Sequence, residues 1–527
     1  MDRALLPSKV GRRWFFEPQL GLLVLLVAGA YFSRLGDLTI RGEETRRARV
    51  AIEMLESGDF IVPREQGRLF PDRPPLGNWA IALSMAVFGS HDVVAVRLPT
   101  VLATLLTTIL IYGYSRTFLT AFGALAAGAA YATMGQVLQL GFLAETEAML
   151  TLCTGASLLV WHAGYLRGWP KLGVWTAGYA LAALAALAKG PQGPLYFGGA
   201  VVVYLMLRRD WRWLFSPAHL AGIAVFAAIV GAWQVPYSLE VEWDKVLQTW
   251  GHTSAARFDY SQPWPVVRHL LSYPWEILGC LLPWSPWLAA YSNRDFRRSL
   301  GPARDPAIFL AVAILVAFPT CWLAPQARGR YFMPLYPCFA PLIGLVIERA
   351  EEACRLSLRE RTPFRSAKGA LARMWRAYFT TAAILLVLAG AAVLAISVAG
   401  VAQESPFSQS IGFAAVYAAL ASSAAWATWR ARLEVAHSID PKGVEFVSPG
   451  FRFVATAAVA KPQSATSKRA CRGDGPSRAS LALLALAAFM GLSCTGLMTN
   501  SLIRRSEDIA GRVAALKQRL PADVRLV

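Results

Sequence analysis

Apolar blocks long enough to cross a bilayer alternate along this chain with short polar connections. A helical span needs roughly 20 apolar residues. Runs of about that length fall near 19–35, 93–114, 117–138, 147–166, 172–188, 194–207, 218–237, 275–291, 306–323, 331–347, 378–400, 409–429 and 479–498. The pattern predicts an all-α polytopic membrane protein with about 13 transmembrane helices. A long polar interval, 36–92, separates the first two. Within it, Ala48, Ala51, Met54 and Leu55 recur at helical spacing, so 46–57 reads as an amphipathic helix that Gly58-Asp59 ends. Phe60-Ile61-Val62-Pro63 follows as an extended piece, because the residue before proline avoids the α region. Arg73-Pro74-Pro75 then opens an apolar stretch from Leu76 to Gly89 that is short for a span and suits a second helix lying in the membrane interface.

Composition fits this picture. Of the 527 residues, 55% are hydrophobic and only 16% charged, against roughly 25% charged in soluble domains. The net charge of +19 raises the question of nucleic acid, but the basic residues form no stripe with interleaved aromatics. Instead they fall in alternate loops. With the N-terminus in the cytoplasm, the cytoplasmic side receives Arg116, Arg167, Lys171, Arg208, Arg209, Arg212, Arg294, Arg297, Arg298, Arg304 and the basic segments 349–376 and 430–478, as the positive-inside rule requires. A span at 76–90 would reverse every later loop. The basic N-terminus and the run near 20–35 lack a small-residue cleavage site and read as an uncleaved first helix. Seven cysteines lie mostly in apolar spans without a C-x-x-C pair, and neither a disulfide framework nor a metal site is legible.

The same bookkeeping gathers the unusual polar residues on the outer side. Glu43, Glu44, Glu145 and Glu147 sit at outer helix ends. One isolated glutamate there is ordinary solvated charge. Two pairs on one side suggest a cavity and a carboxylate able to take a proton from a hydroxyl. Arg46, Arg73, Lys189, Arg257, Arg328 and Arg330 share that side. Lys189 ends an almost wholly apolar helix and precedes Gly190-Pro191. It either snorkels or faces an anion, and Lys and Arg are the natural partners of phosphate. His252 lies five residues before Arg257, where a lone loop histidine is usually structural. Gln262-Pro263-Trp264-Pro265 and Leu282-Pro283-Trp284-Ser285-Pro286-Trp287 look like aromatic interface anchors, the second also suiting a helix kink.

Taken as a set, these motifs resemble the GT-C glycosyltransferases that use polyprenyl-phosphate sugars, in particular the lipid A aminoarabinose transferases and the protein O-mannosyltransferases. The resemblance rests on Glu43-Glu44-Thr45-Arg46, Glu56-Ser57-Gly58-Asp59, Arg73-Pro74-Pro75-Leu76-Gly77-Asn78-Trp79, Thr146-Glu147, Leu187-Ala188-Lys189-Gly190-Pro191, His252 with Arg257, Leu282-Pro283-Trp284, and Arg330-Tyr331-Phe332-Met333-Pro334. It implies an inverting, carboxylate-assisted transfer of a sugar from a polyprenyl-phosphate carrier to a glycolipid or protein acceptor on the outer face of the cytoplasmic (inner) membrane, as in lipid A modification or protein O-glycosylation. It further implies catalytic roles for Glu43 and Glu147, with Glu44 as the alternative to Glu43. Donor-phosphate or substrate binding would fall to Arg46, Arg73, Lys189, His252, Arg257, Arg330 and Tyr331. Two departures stand out: the family's aspartates at positions 43 and 147 are glutamates here, one methylene longer. A divalent metal has no support in the sequence. The implied partners are membrane lipids, the lipid-linked donor and a lipid or protein acceptor, with no nucleic acid.

The expected organisation is a GT-C-like domain over 1–498, with 36–92 as a first outer loop carrying interfacial helices and 431–477 as a disordered cytoplasmic loop, followed by a short extracytoplasmic amphipathic tail over 499–527. Two rival functions stay open. A transporter or flippase of lipid-linked sugars is disfavoured by the absence of a visible repeat. A catalytically inactive relative that binds polyprenyl phosphate is kept open by the two glutamates.

Overall fold

A computed structural model describes residues 14–40, 42–252, 257–359, 367–399, 411–433, 478–499 and 518. Among the described residues nine helices are long and apolar enough to cross a membrane, and all nine coincide with expected spans. The other four expected spans form shorter or broken helices. The first is α1 (Pro18–Val27), continued by a π-helical turn at Ala28–Phe32. The span expected at 117–138 divides into α5 (Ala121–Ala132) and α6 (Gly135–Leu140). Its neighbour at 194–207 is the 17-residue α9 (Gln192–Arg208).

The fourth, expected at 275–291, is not a continuous span. A helix runs from Pro263 to Cys280, a cis Leu282-Pro283 bond follows, and a 3-10 helix covers Ser285–Ser292. The anchoring role expected of Trp284 and Trp287 is also corrected. Both are fully buried, and the Trp284 indole donates to Thr133 Oγ1 at 3.0 Å. A ring enclosed by neighbouring helices cannot reach a headgroup layer, so this motif belongs to the kink. Trp264 is exposed.

The interval 36–92 folds as α2 (Glu43–Ser57), a two-stranded antiparallel hairpin pairing Arg64 with Leu69 and Glu65 with Arg68, and α3 (Leu76–Phe88). The hairpin was not legible in the sequence. Ala48 and Ala51 of α2 pack on Ile81, Ala82 and Met85 of α3 and on Ala144. The opposite side of α3 exposes Leu83, Val87 and Phe88, the two-faced pattern of an interfacial helix. The Trp233 indole donates to the Ile61 carbonyl and ties the extended piece to the helix Pro217–Glu240, and the Trp79 indole of α3 donates to the Phe60 carbonyl.

Local chemistry sets the boundaries. Asp92 caps α4 (Val93–Ser115) by accepting from the Ala95 amide at 2.8 Å, which satisfies a donor the helix start leaves open. The scaffold packs α7 (Thr146–Arg167) against α4 and α8 (Lys171–Lys189), and α8 in turn against Pro217–Glu240. Small residues permit close approach. A Cβ on Gly344 would lie 2.5 Å from the Gly123 carbonyl oxygen, where the helix Tyr336–Arg359 crosses α5, as is common where membrane helices touch. The start of α2, the start of α7, the end of α8 and the turn before Tyr336–Arg359 meet at one end of the bundle. Of segment 431–477 only 431–433, the end of a helix, is described, and of the tail 499–527 only 499 and 518. The expectations for both segments lie outside the described residues.

Candidate active site

At that end of the bundle, Glu147 and Lys189 form a buried ion pair, Nζ to Oε1 2.5 Å. Each is set by its helix: Glu147 lies in the first turn of α7, Lys189 is the last residue of α8, and Gly190 turns the chain away with φ +92° and ψ −156°. That backbone conformation is essentially restricted to glycine. Arg330 bridges two carboxylates, with Nη1 2.9 Å from Glu145 Oε2 and Nε 3.8 Å from Glu147 Oε1. Arg73 donates from Nη1 to Thr146 Oγ1 at 2.5 Å and from Nε to Asp72 at 3.1 Å.

The Tyr331 ring serves as a platform for three cations: Arg257 Cζ lies 4.0 Å from its centroid, Lys189 Nζ 5.2 Å and Arg330 Cζ 5.5 Å. Its own carbonyl accepts from Gln192 Nε2. Such stacking holds cations side by side through the ring's negative face. The sequence-derived residues Glu147, Lys189, Arg73, Arg257, Arg330 and Tyr331 are therefore brought together.

Others are not. Glu44 is buried away from this cluster: Arg97 donates to both its oxygens at 2.8 and 2.9 Å, and the Ala144 amide donates to Oε1 at 2.8 Å. The structure therefore does not bring Glu44, the alternative to Glu43, to the Glu147–Lys189 group. Arg46 is also misplaced. Its side chain is 55% exposed and reaches only Glu43, at 3.4 Å. Its neighbour Arg47 takes the inward place, buried and 3.8 Å from Asp72, because consecutive helical residues point about 100° apart. Burial, and after it the charge of Arg73, lowers the Arg47 pKa to about 10, which leaves the guanidinium charged at neutral pH. Glu43 stands at the start of α2 with its side chain partly open. Gly42 precedes it with φ +60°, the half of backbone space that glycine enters without strain. His252 ends a π-helical turn, Gln248–His252, and its side chain lies outside the described residues.

Arg47, Asp72, Gln192 and Glu276 are additions the sequence did not offer. Glu276 Oε1 accepts the Gly329 amide at 2.6 Å and so anchors the turn that carries Arg328, Arg330 and Tyr331. Arg47 did leave a signal, since it sits on the apolar stripe of its own helix. Three buried guanidinium nitrogens, Nε of Arg47, Arg257 and Arg330, have no hydrogen-bond partner. Beside Arg330, which lines it, opens a cleft of about 520 Å³ reached also by Gly42, Gln136, Gln139, Glu145, Glu276 and Arg328. Within it the Glu145 carboxyl is held above the usual glutamate range, by burial first and by the charge of Glu147 second. Among the described residues no group of three or more His, Cys, Asp and Glu could hold a metal ion.

The chain shares its fold with ArnT from Cupriavidus metallidurans bound to undecaprenyl phosphate, with a TM-score of 0.63 at 19% identity over 97% of this chain and 82% of that one. It superposes on the apo state with a TM-score of 0.61 at 20% identity, with the same coverage. The chain thus has the polytopic all-helical membrane fold of that protein. Residues 72–234 match the Dolichyl-phosphate-mannose-protein mannosyltransferase family. Sequence similarity extends to named transferases. It is 27% identical over 329 residues to the undecaprenyl phosphate-alpha-4-amino-4-deoxy-L-arabinose arabinosyl transferase of Pseudomonas aeruginosa (strain LESB58), covering 60% of this chain and 56% of the relative. It is 28% identical over 345 residues to that of Edwardsiella ictaluri, covering 62% and 58%. The chain therefore matches little more than half the length of these relatives.

Proposed function

We propose that this protein transfers a sugar from a polyprenyl-phosphate carrier to an acceptor on the extracytoplasmic face of the cytoplasmic membrane, with its N-terminus in the cytoplasm. The observation that carries this reading is the cluster of cations around Tyr331, in which the buried Nε atoms of Arg257 and Arg330 have no hydrogen-bond partner. Buried charged donors are costly unless matched, and a phosphate oxygen is the ligand their geometry suits. The relatives' names add support, since the arabinosyl transferases are named for an undecaprenyl phosphate donor.

In this reading Lys189, Arg73, Arg47, Arg257 and Arg330 hold the carrier phosphate. Glu147 keeps Lys189 and Arg330 in position. An acceptor oxygen attacks the anomeric carbon on the face opposite the phosphate, giving inversion. The bond from that carbon to the phosphate oxygen breaks, and the electron pair leaves with the carrier. Its phosphate gains a negative charge that the preplaced cations stabilise. Glu43, at the open start of α2, takes the acceptor hydroxyl proton. The extra methylene of Glu43 and Glu147 relative to the family pattern fits a pocket lined by long arginines. The 36–92 interval acts as the outer loop over the site.

The test uses the full chain in lipid nanodiscs. Undecaprenyl phosphate should bind the wild type and bind Lys189→Met at least about tenfold more weakly, the ratio expected for one lost charged contact. With undecaprenyl phosphate-linked aminoarabinose as donor, Glu43→Gln should lower kcat by roughly 10²–10⁴-fold. Failure of the wild type to bind undecaprenyl phosphate, or full turnover by both Glu43→Gln and Glu147→Gln, overturns the reading.

A further inference from the structure

We propose that the cleft beside the cation cluster receives the acceptor, and that the acceptor is the uncharged, hydroxyl-rich headgroup of a membrane glycolipid rather than a phosphate group. This rests on the transferase reading and narrows its second substrate.

The argument starts from how charge divides across the site. On the Tyr331 side stand Lys189, Arg73, Arg47 and Arg257 against Glu147 and Asp72. That side carries surplus positive charge and suits the carrier phosphate. The cleft is different. Two of the charged residues on its walls, Glu145 and Arg330, are paired with each other. Its remaining charges are one carboxylate, Glu276, and one guanidinium, Arg328, which balance. A phosphorylated acceptor would bring negative charge into a space with no surplus cation to meet it and with two carboxylates on its walls.

What the cleft offers instead is hydroxyl-binding chemistry. Gln136 Nε2 donates to Gln139 Oε1 at 3.0 Å, leaving the Gln139 amide hydrogens free to donate. Gln136 Oε1 accepts only the weak Cys280 thiol, at 3.3 Å. Glu276 uses Oε1 on the Gly329 amide and keeps Oε2 for a further donor. Paired amide and carboxylate groups that both give and take hydrogen bonds match adjacent sugar hydroxyls, each of which is donor and acceptor. The volume, about 520 Å³, lies in the range of small-molecule sites and is compact for an extended peptide. Gly42 lines the same cleft, so Glu43 stands at its edge, where a base for an acceptor hydroxyl belongs. A phosphate acceptor would need no base.

The experiment measures binding of three probes to the full chain in nanodiscs saturated with undecaprenyl phosphate: a monoglucosyl diacylglycerol, its 6-phosphate, and a Ser/Thr-rich peptide. The neutral glycolipid should bind at least about tenfold more tightly than its phosphate. Gln139→Ala should weaken the neutral glycolipid several-fold while leaving undecaprenyl phosphate affinity unchanged. Gln139→Lys, an exposed position that tolerates charge, should move the preference towards the phosphorylated probe. Equal or tighter binding of the phosphorylated glycolipid or of the peptide overturns the proposal. So does failure to bind the neutral glycolipid, or a loss of undecaprenyl phosphate affinity in Gln139→Ala, which would assign the cleft to the donor. Failure of the donor reading itself shows separately, as absent undecaprenyl phosphate binding to the wild type.

Discussion

Arg97 and Glu44 should be more important to the fold than any other charged pair, and removing one without the other should show it. Arg97 is fully buried. It donates to Glu44 Oε1 and Oε2 at 2.8 and 2.9 Å and to the carbonyls of Leu35, Leu38 and Thr39 at 3.0, 2.8 and 3.2 Å. Glu44 also takes the Ala144 amide. The knot therefore joins the chain just before Glu43 to the chain just before Glu145. Glu44→Gln removes the charge and turns an NH2 group towards guanidinium donors, leaving a buried cation without its counter-ion. Breaking such a pair from one side costs about 3–5 kcal/mol. Arg97→Met should cost as much, since it leaves a buried carboxylate with one amide and orphans three carbonyls. Glu44→Gln with Arg97→Met leaves no unpaired charge, so the double variant should lose clearly less than the sum of the two single losses. The assay is reversible unfolding of the chain in mixed micelles for wild type, both single variants and the double, with sugar transfer measured alongside. A Glu44→Gln variant within about 0.5 kcal/mol of wild type would refute the structural role, because surface substitutions already fall in that band. Full stability with abolished transfer would return Glu44 to the chemistry.

Three further outcomes follow from the site. Gly190→Ala should weaken undecaprenyl phosphate binding while the bundle stays folded, because forcing a side chain into that backbone conformation costs about 1–3 kcal/mol and shifts Lys189; binding titration and a thermal melt together check it. Tyr331→Phe should keep donor affinity near wild type, whereas Tyr331→Ala should lose about 1–2 kcal/mol, since the ring face rather than the hydroxyl carries the stacked cations. The Glu145 carboxyl, raised by burial and then by Glu147, gains its proton at a higher pH than an ordinary glutamate. As pH falls through that value the Glu145–Arg330 pair is lost and transfer should drop, an acid limb that Glu145→Gln removes from the kcat/KM profile. The stability term has the opposite sign: the folded chain binds this proton more tightly than the unfolded chain, so Glu145 contributes stability at low pH that is lost as pH rises through the raised value.

The membrane scaffold was legible because a span is a bulk property. Among the described residues nine long helices appear where apolar runs predicted them, and no single residue decides such a run. The broken region from Pro263 to Ser292 was not legible. Its apolar composition is that of a span, and only the burial of Trp284 and Trp287 by neighbouring helices separates a kink from an interface anchor. The site was partly legible for a related reason. Lys189 and Glu147 sit at helix ends facing one another, and helix ends can be located from sequence. Asp72 and Glu276 could not be found that way. Their roles come from Arg47, Arg73 and the Gly329 amide, partners brought near by folding rather than by spacing.

The choice between Glu43 and Glu44, and between Arg46 and Arg47, turns on a stripe that begins earlier than the apolar residues suggest. Positions 44, 47, 48, 51 and 54 fall at helical spacing, and all five are buried in α2. Apolar residues mark only the last three, so the sequence pattern starts the helix late and leaves both charged pairs ambiguous. Extending the period backwards by one turn assigns Glu44 and Arg47 to the buried face and Glu43 and Arg46 to the open one. Two charged residues on a buried stripe demand partners, and each has them from elsewhere in the fold: Arg97 of α4 for Glu44, and Asp72 for Arg47. Glu43 is thereby left partly open beside the cleft, the position from which a carboxylate can exchange a proton with a bound acceptor.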